Sequence, residues 1–399
     1  MILRRAFKFR IKNPKKHREK FQQFAGAGRW IANRGLELRS KAYQENGITI
    51  TYYEQNNELV ELKEEFPWLQ DIHSQVLQQA LKNLDFAFKN FFRNVKLGKT
   101  PGYPRFKKKG VRESFRYPQG VKVKGSQAYL PKIGWIEFRK SREIEGIIKE
   151  TTILQEGNAW YISFSCEIEV PDPILAPIDE SRAIGVDMGL KVFATTSSGK
   201  ENKLDQVKNP QFLKKSLSKL KYQSKQFSKK VKKSKNSSKT RLKLSKHHAR
   251  ITNQRNDFVQ KLSTLMIKNH DIFCIESLDI SNLLAKGSKD RSRAISDAGW
   301  RSFLHCLKYK AEECGKHIVE AGKYFPSSQL CSSCSHRKEM PLELRKYECP
   351  NCGLKIDRDY NSAIVLKAAG MSVLKPVELP RIRGALKQES LAFSESSSR

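Results

Sequence analysis

The sequence predicts a multidomain protein in which an α+β half precedes an α/β half, and three observations carry that reading. The chain has 399 residues, enough for two to four domains and a sizeable core. Near its start a long stretch of helical periodicity gives way to closely spaced short strands. Beyond about Arg182, apolar runs of strand length alternate with helical segments, and two of those runs end on an acid.

Ile2 to Ile11 alternate in polarity and predict a strand. From Lys15 a helical region runs to about Lys96 with one interruption, NGITITYYEQ (46–55), read as a turn followed by β-branched and aromatic residues. In its second half Leu77, Leu81, Leu84, Phe88, Phe91 and Val95 recur at spacings of four and three, one face of a long helix. Gly and Pro in GKTPGYPRFKKKG (98–110) end it. Gln127–Leu130, Trp135–Phe138 and Trp160–Ile168 are expected strands of a β-rich module reaching to about Pro173, which the N-terminal strand is expected to join. A new unit starts near Arg182, where AIGVD (183–187) and VFATT (192–196) read as strands around a turn at Met188–Lys191. DIFCIES (271–277) reads as a buried strand, Gly299–Gly315 as a helix, His317–Tyr324 as a strand and Tyr360–Ala369 as a short helix. The Ser-rich end, from about 373 to 399, is expected to be disordered.

Charge is the strongest bulk signal: 76 Lys+Arg stand against 41 Asp+Glu, a formal net charge of +35. A chain so far from neutrality repels itself unless a polyanion compensates, which points to nucleic acid, with a ribosomal-type or merely soluble basic protein as the bland alternative. Residues 211–250 hold 15 Lys/Arg and no Asp or Glu, and LKKSLSKLKYQSKQF within them suggests paired basic helices around a loop at SKKVKKSKNSSK. No apolar run reaches eighteen residues, so no transmembrane helix is expected. The opening MILRRAFKFRIKN is charged where a signal peptide is apolar, so a cytosolic protein is expected.

Of the eight cysteines, Cys331, Cys334, Cys349 and Cys352 form two tight pairs, CSSC and CPNC, with fourteen residues between them. In a reducing compartment two such turns supply four thiolates to one tetrahedral zinc, a closed and therefore structural site. His336 is read as a surface residue, and Cys166, Cys274, Cys306 and Cys314 as packed thiols. Asp187 and Glu276 each follow four largely apolar residues, so the sheet delivers both carboxylates to an edge of the core. Either acid alone reads as well as one leaving a strand into solvent. Together with Asp359 at the start of the last helix they form hard oxygen ligands from three elements, the set Mg²⁺ needs on a phosphodiester. His270–Asp271 lacks a second histidine cluster and is read as structural.

The blocks GVDMGLKVFATT, IESLDISNL and DRDYNSA, with SSQLCSSC and ECPNCG between the last two, resemble TnpB proteins. These are transposon-encoded RNA-guided DNA nucleases related to the type V CRISPR effectors. FKFRIKN, KNFFRNVK, GYPRFKKKG with SFRYP, ISDAGWRSFLHCLKYKAEECG and YFPSSQLC follow in family order, so the resemblance covers nearly the whole chain. It implies a RuvC-type, RNase H-like nuclease over 179–325 and 355–372, interrupted by a zinc-ribbon insert at 326–354. It further implies a wedge-type β-barrel from 1–12 and 97–178 and a helical recognition domain over 13–96.

The resemblance makes Asp187, Glu276 and Asp359 the catalytic acids, Asp359 rather than Asp357 because the family acid sits two residues before the Asn of D-x-N-A-A, here Asn361. Asp357 is left as a group supporting the site. Two Mg²⁺ ions roughly 4 Å apart are implied, one lowering the pKa of the attacking water and the other steadying the leaving 3′ oxygen. Implied partners are a guide RNA from the transposon end, one protein per guide, and double-stranded target DNA beside a short flanking motif, with no membrane. Tyr52, Gln78 and Gln119 are the candidate readers of that motif, and Arg337, Lys338, Arg345 and Lys346 a basic rim on the ribbon. The family setting is the prokaryotic cytoplasm, at the nucleoid when DNA is bound. Ser362 stands where the family has Ala and Ser335 where it has Gly, and both are expected to be harmless. Two alternatives remain, a nuclease-inactive RNA-guided repressor and a transposase accessory protein. The first would have lost an acid, and all three are present. Strand transfer would call for a His-hydrophobic-His motif and a catalytic Tyr, and neither is seen.

Overall fold

A computed structural model describes residues 1–110, 113–198, 204–341 and 343–374. It divides at Pro171 into two compact units, 1–171 and 172–399.

In the first unit β1 (Ile2–Arg10) leads into α1 (Arg18–Asn46), α2 (Tyr52–Asn57), α3 (Leu59–Glu65) and α4 (Ser74–Lys96). Then come β2 (Ser114–Tyr117), β3 (Lys122–Lys124), β4 (Gln127–Leu130), β5 (Gly134–Glu137), β6 (Ile147–Glu156) and β7 (Ala159–Glu169). The strands form an antiparallel sheet β1-β7-β6-β2 and a smaller one β3-β4-β5. The N-terminal strand does join the β-rich module, with Phe7 opposite Phe164. Phe9, Phe138 and Phe164 pack together with centroids 5.2–6.2 Å apart, and Phe21 of α1 meets Trp160 of β7 at 5.1 Å. Helices and sheets of this unit therefore share one apolar core.

The helical region breaks three times rather than once, with Glu58 parting α2 from α3. Thr51 and Glu54 close a capping box, so the stretch read as β-branched and aromatic starts α2 instead. Pro67 then imposes a 3₁₀ turn over Pro67–Asp71 before α4.

The second unit holds β8 (Ala183–Asp187), β9 (Val192–Thr196), β10 (Gln206–Lys208), α5 (Phe212–Ser228), α6 (Lys235–Asn269) and β11 (Ile272–Glu276). It continues with α7 (Ile280–Lys286), α8 (Lys289–Ala298), α9 (Trp300–Glu313), β12 (His317–Ala321), β13 (Lys346–Glu348), β14 (Lys355–Asp357) and α10 (Arg358–Leu374). Its sheet runs β10-β9-β8-β11-β12, with β8, β11 and β12 parallel and the β8–β9–β10 meander antiparallel. Strand residues alternate between two apolar layers. Ile184, Val186, Phe273 and Ile275 join Val259, Met266, Phe303 and Leu307 of α6 and α9, while Ala183, Ile272 and Cys274 join Met371 of α10.

The basic helices form, but α6 begins at Lys235, so the loop between them is shorter than expected. Asp297, almost fully buried, accepts from the amides of Leu213 and Lys214 at 2.9–3.0 Å and from Arg255, which fixes the start of α5. The last helix is longer than expected at both ends. It takes in Val373 and Leu374, and 375–399 of the expected tail lie outside the described residues. Cys166, Cys274 and Cys306 are buried, whereas Cys314 is exposed because it follows the last turn of α9. No described helix is long and apolar enough to cross a membrane.

Candidate active site and metal centre

Asp187 and Glu276 are the last residues of two neighbouring parallel strands, and the register pairing Val186 with Ile275 carries both to the same end of the sheet. Asp359 lies in the first turn of α10, the helix packed across β8 and β11. The three predicted acids thus meet at one edge, from three elements. Burial, followed by the charges of Glu276 and Asp359, pushes the Asp187 carboxyl up to about 8, and burial raises Glu276 as well. Half-buried carboxylates that repel one another are poised for a cation. Asp359 is different. Its Oδ1 accepts from Arg358 Nε and Nη2 at 3.2 and 3.0 Å, and its Oδ2 stands 3.5 Å from Arg345 Nη1. With that carboxylate held by guanidiniums, the only described group of three or more potential ligands within 4.8 Å of one another is the cysteine set.

Why α10 lies where it does depends on small residues. A Cβ on Gly185 would fall 1.9 Å from the Ala363 carbonyl oxygen, and one on Gly370 would fall 2.2 Å from Cys274 Sγ. Glycine at both positions lets the helix sit directly on the sheet. Asp357 caps the helix, accepting from the amides of Asp359 and Tyr360 at 3.0 and 3.1 Å. Its carboxylate is thereby engaged in starting the helix. Asn361, fully buried one turn in, donates to Leu330 O at 2.6 Å and accepts from Ser332 N at 2.9 Å. Those partners flank Cys331, so one amide hooks the acid-bearing helix to the first cysteine turn.

The four thiols converge. Cys331 and Cys352 Sγ are 3.6 Å apart, Cys334 and Cys349 3.5 Å, and all four lie within 4.8 Å of one another. Burial pushes Cys331 up to about 12, while Asn351 and the His336 backbone hold Cys334 down to about 6. Four convergent sulfurs fit a structural zinc. Tyr347 packs beneath them and donates to the carbonyls of Gln329 and His336, each at 3.1 Å. His336 itself is exposed.

Residues 163–286 match the family OrfB_IS605, described as "Probable transposase", and 300–366 match the TNB domain of Cas12f1-like proteins. Residues 1–47 match a domain described as helix-turn-helix, although they fold here as a strand, a 3₁₀ turn and one long helix. A relative from Escherichia coli (strain K12), named "Putative RNA-guided DNA endonuclease InsQ", is 35% identical over 402 residues, covering 96% of each chain. The chain belongs to the TnpB family. A second relative, the "Putative RNA-guided DNA endonuclease" of Streptomyces pristinaespiralis, is 33% identical and covers 93% of this chain and 90% of its own. Among solved structures, a Cas12f1–sgRNA–target DNA complex matches with a TM-score of 0.54 at 13% identity, over 92% of this chain and 99% of that one. The mini-RNA-guided endonuclease CRISPR-Cas_phi3 matches at 0.52 and 10% identity, over 95% and 94%. Those two likenesses speak for the fold alone.

Set against the TnpB pattern, both serine departures carry a physical cost. Ser335 has φ 60°, a left-handed conformation that glycine adopts freely. Ser362 is buried with its Oγ unpartnered. Ser335→Gly and Ser362→Ala should therefore each stabilise the second unit by about 1 kcal/mol. Thermal melts of the two single variants and the pair, each rising by a few degrees, check this.

Tyr52 is half-buried at the start of α2 and meets Tyr53 edge-on at 5.4 Å; Gln78 is half-buried on α4, and Gln119 is exposed after β2. All three belong to the first unit. Of the four cations around the cysteine turns, Lys346 is exposed, Arg337 donates to Gln329 and Lys338 to the Glu348 carbonyl, while Arg345 reaches Asp359. Asp271 accepts from Arg182 and pairs with Lys316, which holds its carboxyl down to about 2.

Sequence reasoning missed Asn361 as a hook, Gly185 as a seat and Arg358 as a partner of Asp359. The available signals were the polar Asn on an otherwise apolar helix face and the arginine inside DRD.

Proposed function

We propose that this TnpB-family protein is an RNA-guided DNA endonuclease whose RuvC-type site comprises Asp187, Glu276 and Asp359. The observation that carries the reading is the convergence of those acids, from β8, β11 and α10, at one edge of the five-stranded sheet. The strand order, an antiparallel three-strand meander continued by parallel strands, supports an RNase H-like core. The relatives' names and the Cas12f-like fold support guide RNA and target DNA as partners.

In this reading 1–12 and 97–178 form the wedge-type barrel, 13–96 the recognition helices, 179–325 and 355–372 the nuclease, and 326–354 a zinc ribbon. The three acids would hold Mg²⁺. When bound there, as two ions in this reading, Mg²⁺ would supply Lewis-acid charge for phosphodiester hydrolysis. The chain's own groups prepare for that step. Gly185 and Cys274, buried two residues before the acids on the same face of the sheet, keep water from beneath the site. Burial favours the protonated form of Asp187, whose proton would leave to solvent on cation binding, while Arg345 and Arg358 orient Asp359. Asn361 ties α10 to the cysteine turn, so the ribbon fixes the third acid. The Lys- and Arg-rich pair α5 and α6 neutralises phosphates, base pairing selects the sequence, and Tyr52, Gln78 and Gln119 read the flanking motif. The protein acts in a prokaryotic cytoplasm.

Protein purified from cells carrying its native locus should bring down one discrete RNA encoded beside its own gene, because surplus cations bind RNA tightly at low salt. Sequencing the bound RNA tests this. Random cellular fragments alone would contradict a dedicated guide.

A further inference from the structure

The end of α4 and the loop after it carry aromatics that the nuclease reading does not use. Residues 91–110 contain seven Lys/Arg and no acid. Within them Phe92, Phe106 and Tyr103 are 54%, 57% and 48% exposed, and Val95 and Leu97 are exposed beside them. Tyr103 and the backbone beside Phe106 stand on a built support. Tyr103 meets Phe88 and Phe91 edge-on at 5.6 and 5.4 Å, and its hydroxyl lies 2.9 Å from Ser40 Oγ of α1. Phe88 is in turn covered by the Arg39 guanidinium at 5.4 Å. Asn33 of α1 pins the loop a second time, its amide accepting from Lys107 N at 2.7 Å and donating to Lys107 O at 3.1 Å.

Exposed rings in one stretch of chain with Arg93, Lys96, Lys99 and Arg105 fit a ligand that is flat and apolar on its faces and anionic along its chain. An apolar protein partner would leave the cations unpaired. We infer that Phe92, Tyr103 and Phe106 form a stacking platform for unpaired bases of the guide RNA, with the surrounding cations on its phosphates. The guide is the fitting occupant because it accompanies the protein before any DNA is opened, and so covers a patch that would otherwise stay exposed. The inference rests on the reading of the chain as RNA-guided.

Phe92→Ala and Phe106→Ala remove exposed rings and no buried side chain. Each should weaken binding of the co-purifying guide RNA by about five- to a hundred-fold, the range for losing one stacked base. The slope of log K against log salt should stay unchanged, whereas Lys99→Ala should reduce it. Phe106→Tyr should retain most of the affinity. Ultraviolet crosslinking of the protein–RNA complex, followed by mass spectrometry, should attach nucleotides of the guide to peptides bearing these rings. Wild-type affinity in both alanine variants overturns the platform while leaving the nuclease reading standing. Crosslinks to a DNA strand alone overturn the choice of guide RNA. Failure of wild-type protein to bind any guide overturns the functional reading itself.

Discussion

Asp187→Ala, Glu276→Ala and Asp359→Ala should each reduce guided DNA cleavage by roughly three orders of magnitude or more, as expected when one member of a catalytic unit is lost. RNA-guided DNA binding should persist, because affinity comes from phosphates on Lys and Arg and from base pairing. Loss of fold is not the expected cause. A carboxyl raised to about 8 costs stability when ionised, a cost absent in the acid range and growing as pH climbs from about 4 to about 8. Asp187→Ala should thus melt no lower than wild type at pH 8 without divalent cations. Losses within one site should not add, so the double change at Asp187 and Asp359 should look little worse than either single. Asp357→Ala is the internal control. It removes a helix cap, costs about 1 kcal/mol and keeps measurable cleavage. Normal cutting by Asp359→Ala beside a dead Asp357→Ala would move the third ligand by two residues.

The second large effect is expected at the thiols. Cys331→Ser or Cys349→Ser should abolish stoichiometric zinc, because a four-thiolate site couples metal binding to folding. The damage should travel. Asn361 is hydrogen-bonded to Leu330 and Ser332 around Cys331, so loosening the first cysteine turn should release the helix carrying Asp359. Metal analysis should find one zinc per wild-type chain, and limited proteolysis should cut within 326–374 only in the variants or after chelation. Zinc-free protein, freshly purified and reduced, would contradict the assignment.

The placement of the acids at the sheet edge and the convergence of the thiols were legible in the sequence because each announces itself locally: a carboxylate ending an apolar strand, a thiol pair in a tight turn. Strands followed from alternation at Ile2–Ile11 and from short apolar or aromatic runs elsewhere, and AIGVD, VFATT, Gln127–Leu130 and Trp160–Ile168 fold close to where the pattern puts them. What stayed hidden depends on partners distant in the chain. Gly185 reads as one more strand residue until α10 is laid against it. The role of Asn361 exists only once Leu330 is beside it. Asp297 caps a helix that begins 85 residues earlier, at Phe212. Local signals also misled: ITITYY has strand composition, but Thr51 and Glu54 cap a helix there. The left-handed backbone at Ser335 was invisible in a residue type that only looked small.

Cleavage of a supercoiled plasmid by purified protein loaded with its co-purifying RNA tests the central claim most directly. The plasmid carries the flanking motif and a target matching the guide. In Mg²⁺ the account predicts cutting of the matched plasmid, none of a mismatched one, and none in the presence of a chelator. Cutting that ignores the match, or persists without divalent metal, would contradict it.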